Sequence, residues 1–200
     1  RSLARTGSHH SLLMHDLRPK TASGGSPQPS THPAASTEEE LLKHVTVSRG
    51  RAGGPGGQNR NKVETKITLL HKPTGIETHA SERRSAEENR KVALRRLRLA
   101  LATQIRVTPV PRDAFGDVTS DLWRSRCKSG RIVCSPDHMD YPSLLAEALD
   151  VIEVSGHDPK KAALRLSCSA SQLIKFVKDH SPAFDWWNQQ RESRSLHPLK

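Results

Sequence analysis

No phenylalanine, tryptophan or tyrosine occurs before Phe115, and the 200-residue chain holds only three, three and one of them in all. A domain built from the first half must fill its core with aliphatic side chains. It also lacks an aromatic ring on which to stack a base, so phosphate and sugar contacts are its expected mode of meeting nucleic acid. Cysteine is scarce as well. Cys127, Cys134 and Cys168 are an odd set without regular spacing, which argues against a disulfide framework and fits a reducing compartment. Cys127-x6-Cys134-x3-His138 offers three zinc-binding atoms, but at a spacing foreign to zinc ribbons and knuckles. The thiols are read as buried or idle, and no metal or cofactor is expected. No apolar run approaches the roughly 20 residues of a membrane span, so no membrane partner is expected. Apolar residues make up 34% of the chain, low for one compact globule, and part of it is expected to stay unfolded.

What the chain has in excess is positive charge, net +11, and it is unevenly spread. Residues 41–106 hold 15 Lys and Arg against 5 Asp and Glu, while residues 1–40 balance four against four and 107–200 hold 13 against 12. The middle segment is therefore the one expected to face a phosphate backbone.

Residues 1–38 are rich in Ser, Thr, His, Pro and Gly and read as a disordered arm. Arg1 and Arg5 precede any carboxylate, which first appears at Asp16. That is also the composition of a mitochondrial transit peptide, and a start at Met14 is a further reading. A cytoplasmic protein is expected, with the mitochondrial matrix as the alternative. Residues 39–106 read as a small α+β unit. Glu39 to Lys43 suggests a helical turn and Val45-Thr46-Val47 a strand. Ile67 and Leu69 alternate with Thr68 and Leu70 at strand period, and Pro73 with Gly75 predicts a tight turn back into Ile76–His79. Ser85-Ala86-Glu87-Glu88 predicts the capped start of a long helix reaching Gln104. Its Ala93, Leu97, Ala100 and Leu101 are expected against the sheet, with Arg84, Lys91, Arg95 and Arg98 on the opposite side. Residues 107–141 read as an irregular linker. Residues 142–196 read as a small, mostly helical region. Lys161 to Phe176 resembles a helix-turn-helix with Ala162, Ala163, Leu166, Leu173 and Phe176 inside and Gln172, Lys175 and Lys178 outside. Trp186 and Trp187 are expected as core or interface anchors, since no cations surround them in sequence.

Between the first two strands lies Ser48-Arg49-Gly50-Arg51-Ala52-Gly53-Gly54-Pro55-Gly56-Gly57-Gln58-Asn59-Arg60-Asn61-Lys62. Its glycines and proline prevent helix and weaken strand, predicting a protruding loop. Alone, Gly56-Gly57-Gln58 is also what a flexible linker contains. In order with Asn61, the strand Lys66–His71, the turn Pro73-Thr74-Gly75, and Arg84-Ser85 with Asn89 opening a basic helix, it resembles the catalytic domain of class I peptide chain release factors and their ribosome-rescue relatives, over about residues 45–102.

That resemblance implies hydrolysis of the ester joining a finished polypeptide to tRNA, inside the RNA of the large ribosomal subunit. Gly56, Gly57 and Gln58 would be the catalytic residues. Glutamine has no usable pKa and no nucleophilic power, so Gln58 would act by orienting water and by its backbone N–H. Arg49, Arg51, Arg60, Asn61, Lys62, Arg84, Lys91, Arg95 and Arg98 form the candidate RNA-binding set, with Asn61 placed to brace the loop. His71 is read as packing at the end of its strand. The expected partners are large-subunit rRNA and peptidyl-tRNA, with a second RNA or protein contact through the C-terminal helices, and the chain is expected to be a monomer. Decoding factors carry a sizeable region before this domain, whereas here 55 residues precede Gly56. The expectation is therefore codon-independent release, as in the shorter relatives. The C-terminal residues lack the strongly basic tail that one rescue subgroup uses. A non-hydrolytic RNA- or ribosome-binding paralogue is the alternative from another functional class.

Overall fold

Alternation at period two shapes the sheet. The computed structural model describes residues 32–51, 64–109 and 118–200. Strands β1 (Val45–Gly50), β2 (Lys66–His71) and β3 (Ile76–Ala80) form an antiparallel meander in the order β1-β2-β3. In the central β2, Ile67, Leu69 and His71 are buried while Lys66, Thr68 and Leu70 are half-exposed, the pattern of a strand with one face on a core. The β2–β3 turn closes with the N–H groups of Thr74 and Gly75 donating to His71 O, and Gly75 sits at φ +70°, where a side chain is disfavoured. His71 fastens the same turn, its Nδ1 2.8 Å from Thr74 Oγ1. Burial, with His44 nearby, holds its imidazole below the usual histidine range, so the neutral ring serves as a structural brace.

Helix α1 (Glu38–Lys43) leads into β1. Thr37 caps it through a full capping box with Glu40. Helix α2 (Ala86–Gln104) starts at Ser85, whose hydroxyl accepts from the N–H groups of Glu87 and Glu88. Its Ala93, Leu97 and Leu101 are fully buried, as expected, and Thr78 on β3 donates to Ala93 O at 3.0 Å. Ala100, expected in the core, is only half-buried, whereas Leu94 and Ala102 are buried instead. The reason is that α2 is covered on two sides, by the sheet and by α4 (Tyr141–Val154). A helical wheel drawn for one covered face misplaces the second.

The region read as linker, 107–141, contains regular structure: helix α3 (Asp121–Arg126) and a two-stranded ribbon, β4 (Cys127–Lys128) with β5 (Arg131–Ile132). Trp123 on α3 is buried and donates its indole N–H to Leu166 O at 2.8 Å. One aromatic side chain thus ties this segment to the helices that follow. The arm read as 1–38 also needs correction at its end. His32 to Ser36 pack against the fold through a short 3-10 turn, Pro33–Ala35, with Ala34 fully buried. Both Arg98 and Ser143 donate to Ala34 O, and His32 Nε2 lies 3.2 Å from Ile105 O.

Helices α5 (Pro159–Arg165) and α6 (Ala170–Lys178) form the expected hairpin, and all five predicted core residues, Ala162, Ala163, Leu166, Leu173 and Phe176, are buried. Asp158 caps α5 and Ser169 caps α6 through side-chain acceptors, with Pro159 at the first position of α5. Helix α7 (Ser181–Glu192) buries Trp187, whose N–H reaches His157 O. Trp186 is only partly buried and carries a cation after all, since Arg106 stacks on its ring. One apolar cluster runs from Ala34 through α2 and α4 to Trp187, and its share from the first half is aliphatic, as the missing aromatics require. Among the described residues no helix is long and apolar enough to cross a membrane.

Candidate functional site

The antiparallel meander decides which residues meet the glycine-rich segment. Gly50 at the end of β1 pairs with Lys66 at the start of β2, so residues 51–65 leave and re-enter the sheet at one edge. At the same edge Ile67 pairs with Ala80, the last residue of β3, so the segment 81–85 and the first turns of α2 lie there too. Gly56, Gly57, Gln58, Arg60, Asn61 and Lys62 lie outside the described residues. The root of that segment can be described. Arg51 Nε stands 3.8 Å from Glu64 Oε1, an exposed pair across the two stems and a weak tie by itself.

Asn89 makes a stronger tie. It is fully buried in the second turn of α2. Its Nδ2 donates to Thr65 O at 2.7 Å and to Arg83 O at 3.0 Å, while its Oδ1 accepts from the Arg83 N–H at 2.8 Å. Both amide hydrogens and the carbonyl are thereby engaged. The sequence marked Asn89 as a motif position without indicating this role, because its partners are backbone groups distant in sequence.

The candidate cations separate into two groups. Arg49 and Arg84 are exposed and make no ion pair with another described residue; Arg83 beside them and half-buried Lys66 share that state. Lys91 is exposed on α2, two residues past Asn89 and so on roughly the opposite side of the helix. Arg49, Lys66, Arg83 and Arg84 belong to the end of the sheet where the stems lie, and with Lys91 they are open to an anionic partner. Arg95 and Arg98 are not. Arg95 donates to Pro136 O and stands 3.7 Å from Asp137, while Arg98, half-buried, donates to Ala34 O at 3.0 Å. They do not project freely with Arg84 and Lys91, because the segment around Pro136 and Asp137 engages Arg95 and the 32–36 segment engages Arg98. Arg96 is likewise engaged, donating to His79 O and paired at 2.6 Å with Glu82, whose carboxyl its bond holds below the usual range. Cys127, Cys134 and Cys168 are half-buried free thiols whose pKa values burial raises, that of Cys168 to about 12, so they are poor nucleophiles. Among the described residues no His, Cys, Asp and Glu group could hold a metal ion.

The segment that forms this meander and its capped helix also matches a known domain in sequence. Residues 38–114 match the RF-1 domain, and that segment is similar to class I peptide chain release factors. The chain is 37% identical over 95 residues to the chloroplastic peptide chain release factor PrfB1 of Arabidopsis thaliana, covering 46% of this chain and 20% of that protein. It is 44% identical over 62 residues to an uncharacterized mitochondrial release factor-like protein of Saccharomyces cerevisiae, 31% of this chain and 40% of that one. To peptide chain release factor 1 of Chlorobaculum tepidum it is 49% identical over 64 residues, 32% and 17% of the two chains. The chain thus spans between about a fifth and two fifths of the length of these relatives.

Proposed function

We propose that this chain hydrolyses the peptidyl-tRNA ester on the ribosome and does so without reading a codon, as a ribosome-rescue release factor. The observation that carries the reading is that Gly56-Gly57-Gln58 lies in sequence within the segment matching the RF-1 domain, between two strands whose described ends share one end of the sheet with the exposed cations Arg49, Arg83 and Arg84. Those cations, with Arg51, Arg60 and Lys62, would steer the edge toward rRNA phosphates. The reaction breaks the bond between the peptide carbonyl carbon and the tRNA ribose oxygen, forms one to the water oxygen and transfers a water proton to the leaving oxygen. The Gln58 side chain orients the water. Its backbone N–H stabilises the developing oxyanion or the freed hydroxyl, a single donor worth about 3 kcal/mol of barrier, or ~100-fold in rate. The helical unit α4–α7 supplies a second surface for rRNA or protein, with Lys175 and Lys178 exposed on it. The chain acts as a monomer, and its compartment follows the ribosome it serves.

The test is release of a labelled peptide from ribosomes carrying peptidyl-tRNA, with a stop codon, a sense codon or no codon in the vacant site. Loop-dependent release in all three supports the reading. Release only at stop codons removes the codon-independent part. Ribosome binding without any release that Gly57→Ala or Gln58→Ala abolishes supports the non-hydrolytic alternative instead.

A further inference from the structure

Asn89 carries more than its place in a helix requires. A fully buried amide in a helix interior is a poor helix former and must be completely hydrogen-bonded to be tolerated. Here all of its bonds leave the helix. Two go to the backbone of Arg83 and one to Thr65 O, two residues past the last undescribed position of the loop. Its own N–H donates to Ser85 O, so the side chain is held by a capped first turn. The amide therefore joins three stretches distant in sequence: the returning stem of the loop, the turn bearing Arg83 and Arg84, and α2. Between the two stems Arg51 and Glu64 make an exposed ion pair, and the neighbouring Gly50–Lys66 pair ends the β1–β2 ladder.

We propose that Asn89 is a positioning residue: it fixes Thr65, on the stem by which the chain re-enters the sheet, and the turn bearing Arg83 and Arg84 to α2, so that this stem and the flanking arginines are presented to the ribosome as one unit. The role for catalysis rests on the release reading above; the anchoring itself does not. Only an amide serves all three bonds. A carboxylate at the same place accepts from the Arg83 N–H but turns an anionic oxygen toward the carbonyls of Thr65 and Arg83, and a serine hydroxyl donates only one hydrogen.

The experiment uses the full chain with Asn89→Asp and Asn89→Ser, so that if one variant fails to fold the other decides. Without ribosomes, amide hydrogen exchange at residues 64–66 should rise at least about tenfold in both variants, while exchange across α4–α7 stays close to wild type. In peptide release, the saturating rate should fall at least about tenfold with the half-saturating concentration changed by less than about threefold, a split that loss of fold would not produce. Unchanged exchange at 64–66 overturns the anchor. Raised exchange with an unchanged saturating rate overturns its role in positioning. If the wild-type chain releases nothing on any ribosome, the release reading fails by itself, and the exchange arm still decides the anchor.

Discussion

The guanidinium of Arg106 lies 4.1 Å above the ring of Trp186, joining the segment just past α2 to α7. Arg106 also donates to the carbonyls of Ala102 and Thr103 at the end of α2 and faces Asp150 at 3.9 Å. Burial lowers its pKa to about 10, still far above neutrality, so the charge is retained. Replacing it by alanine removes a helix C-terminal cap and a cation–π contact together. Arg106→Ala should cost about 2 kcal/mol, seen as a drop of several degrees in Tm, and Trp186→Ala should add little on top because the two share one interaction.

Asp150 should destabilise the fold as pH rises. It is 6% exposed, accepts from the Val107 N–H at 2.9 Å, and burial, outweighing that bond and Arg106, raises its carboxyl to about 7. A folded pKa above the unfolded one of 3.8 means the folded state holds the proton longer. The group's stabilisation is complete below pH 4 and is lost as pH rises through 7. Asp150→Asn keeps the acceptor for Val107 without the charge, so its stability relative to wild type should increase from pH 4 to 8, by on the order of 3 kcal/mol. Urea denaturation at several pH values measures it, and a flat difference would refute the assignment.

His32 should behave with the opposite sign. Its Nδ1 accepts from the Ala34 N–H at 3.0 Å, which requires an unprotonated nitrogen, and burial lowers its pKa to about 4. Its contribution is complete above the unfolded pKa of 6.5 and is lost as pH falls toward 4. His32→Ala should therefore be most destabilising near pH 7, with the gap to wild type closing by roughly 3 kcal/mol toward pH 4.

Arg84 and Lys91 should separate from Arg95 and Arg98. Neutralising the first pair to glutamine should weaken ribosome binding severalfold and reduce its salt dependence while leaving Tm within about a degree, since surface charge changes rarely alter stability. Arg95→Gln and Arg98→Gln should lower Tm, because each loses a bond that closes the fold. Equal effects of all four on binding, with no change in Tm, would contradict the division.

Within the loop, Gly57→Ala should reduce peptide release more than Gln58→Ala. A Cβ at residue 57 displaces the backbone N–H that follows it, whereas the Gln58 change removes only the side chain. Losses near 100-fold or more are expected for the glycine.

Much of the chain was readable because its signals are local. The β2 alternation, the Pro73–Gly75 turn, the Ser85 cap and the five core positions of the α5–α6 hairpin depend on residues a few places apart, and the structure agrees at each. The 32–36 segment escaped because a backbone carbonyl, Ala34 O, and one histidine ring hold it, and neither leaves a period or a composition. Helix α3 escaped because six residues are too short a run to show a helical period until Trp123 finds Leu166.

The sequence by itself determined the aliphatic character of the first half, the concentration of positive charge there, the motif Gly56-Gly57-Gln58 and the elements on either side of it. All of these follow from which residues are neighbours along the chain. Only the tertiary structure decided that Arg95 and Arg98 serve the fold while Arg84 and Lys91 stay open, and that Asn89 reaches Thr65. The side of a helix on which a residue lies is local geometry, but what covers that side is set by segments 40 or more positions away, which no periodicity encodes.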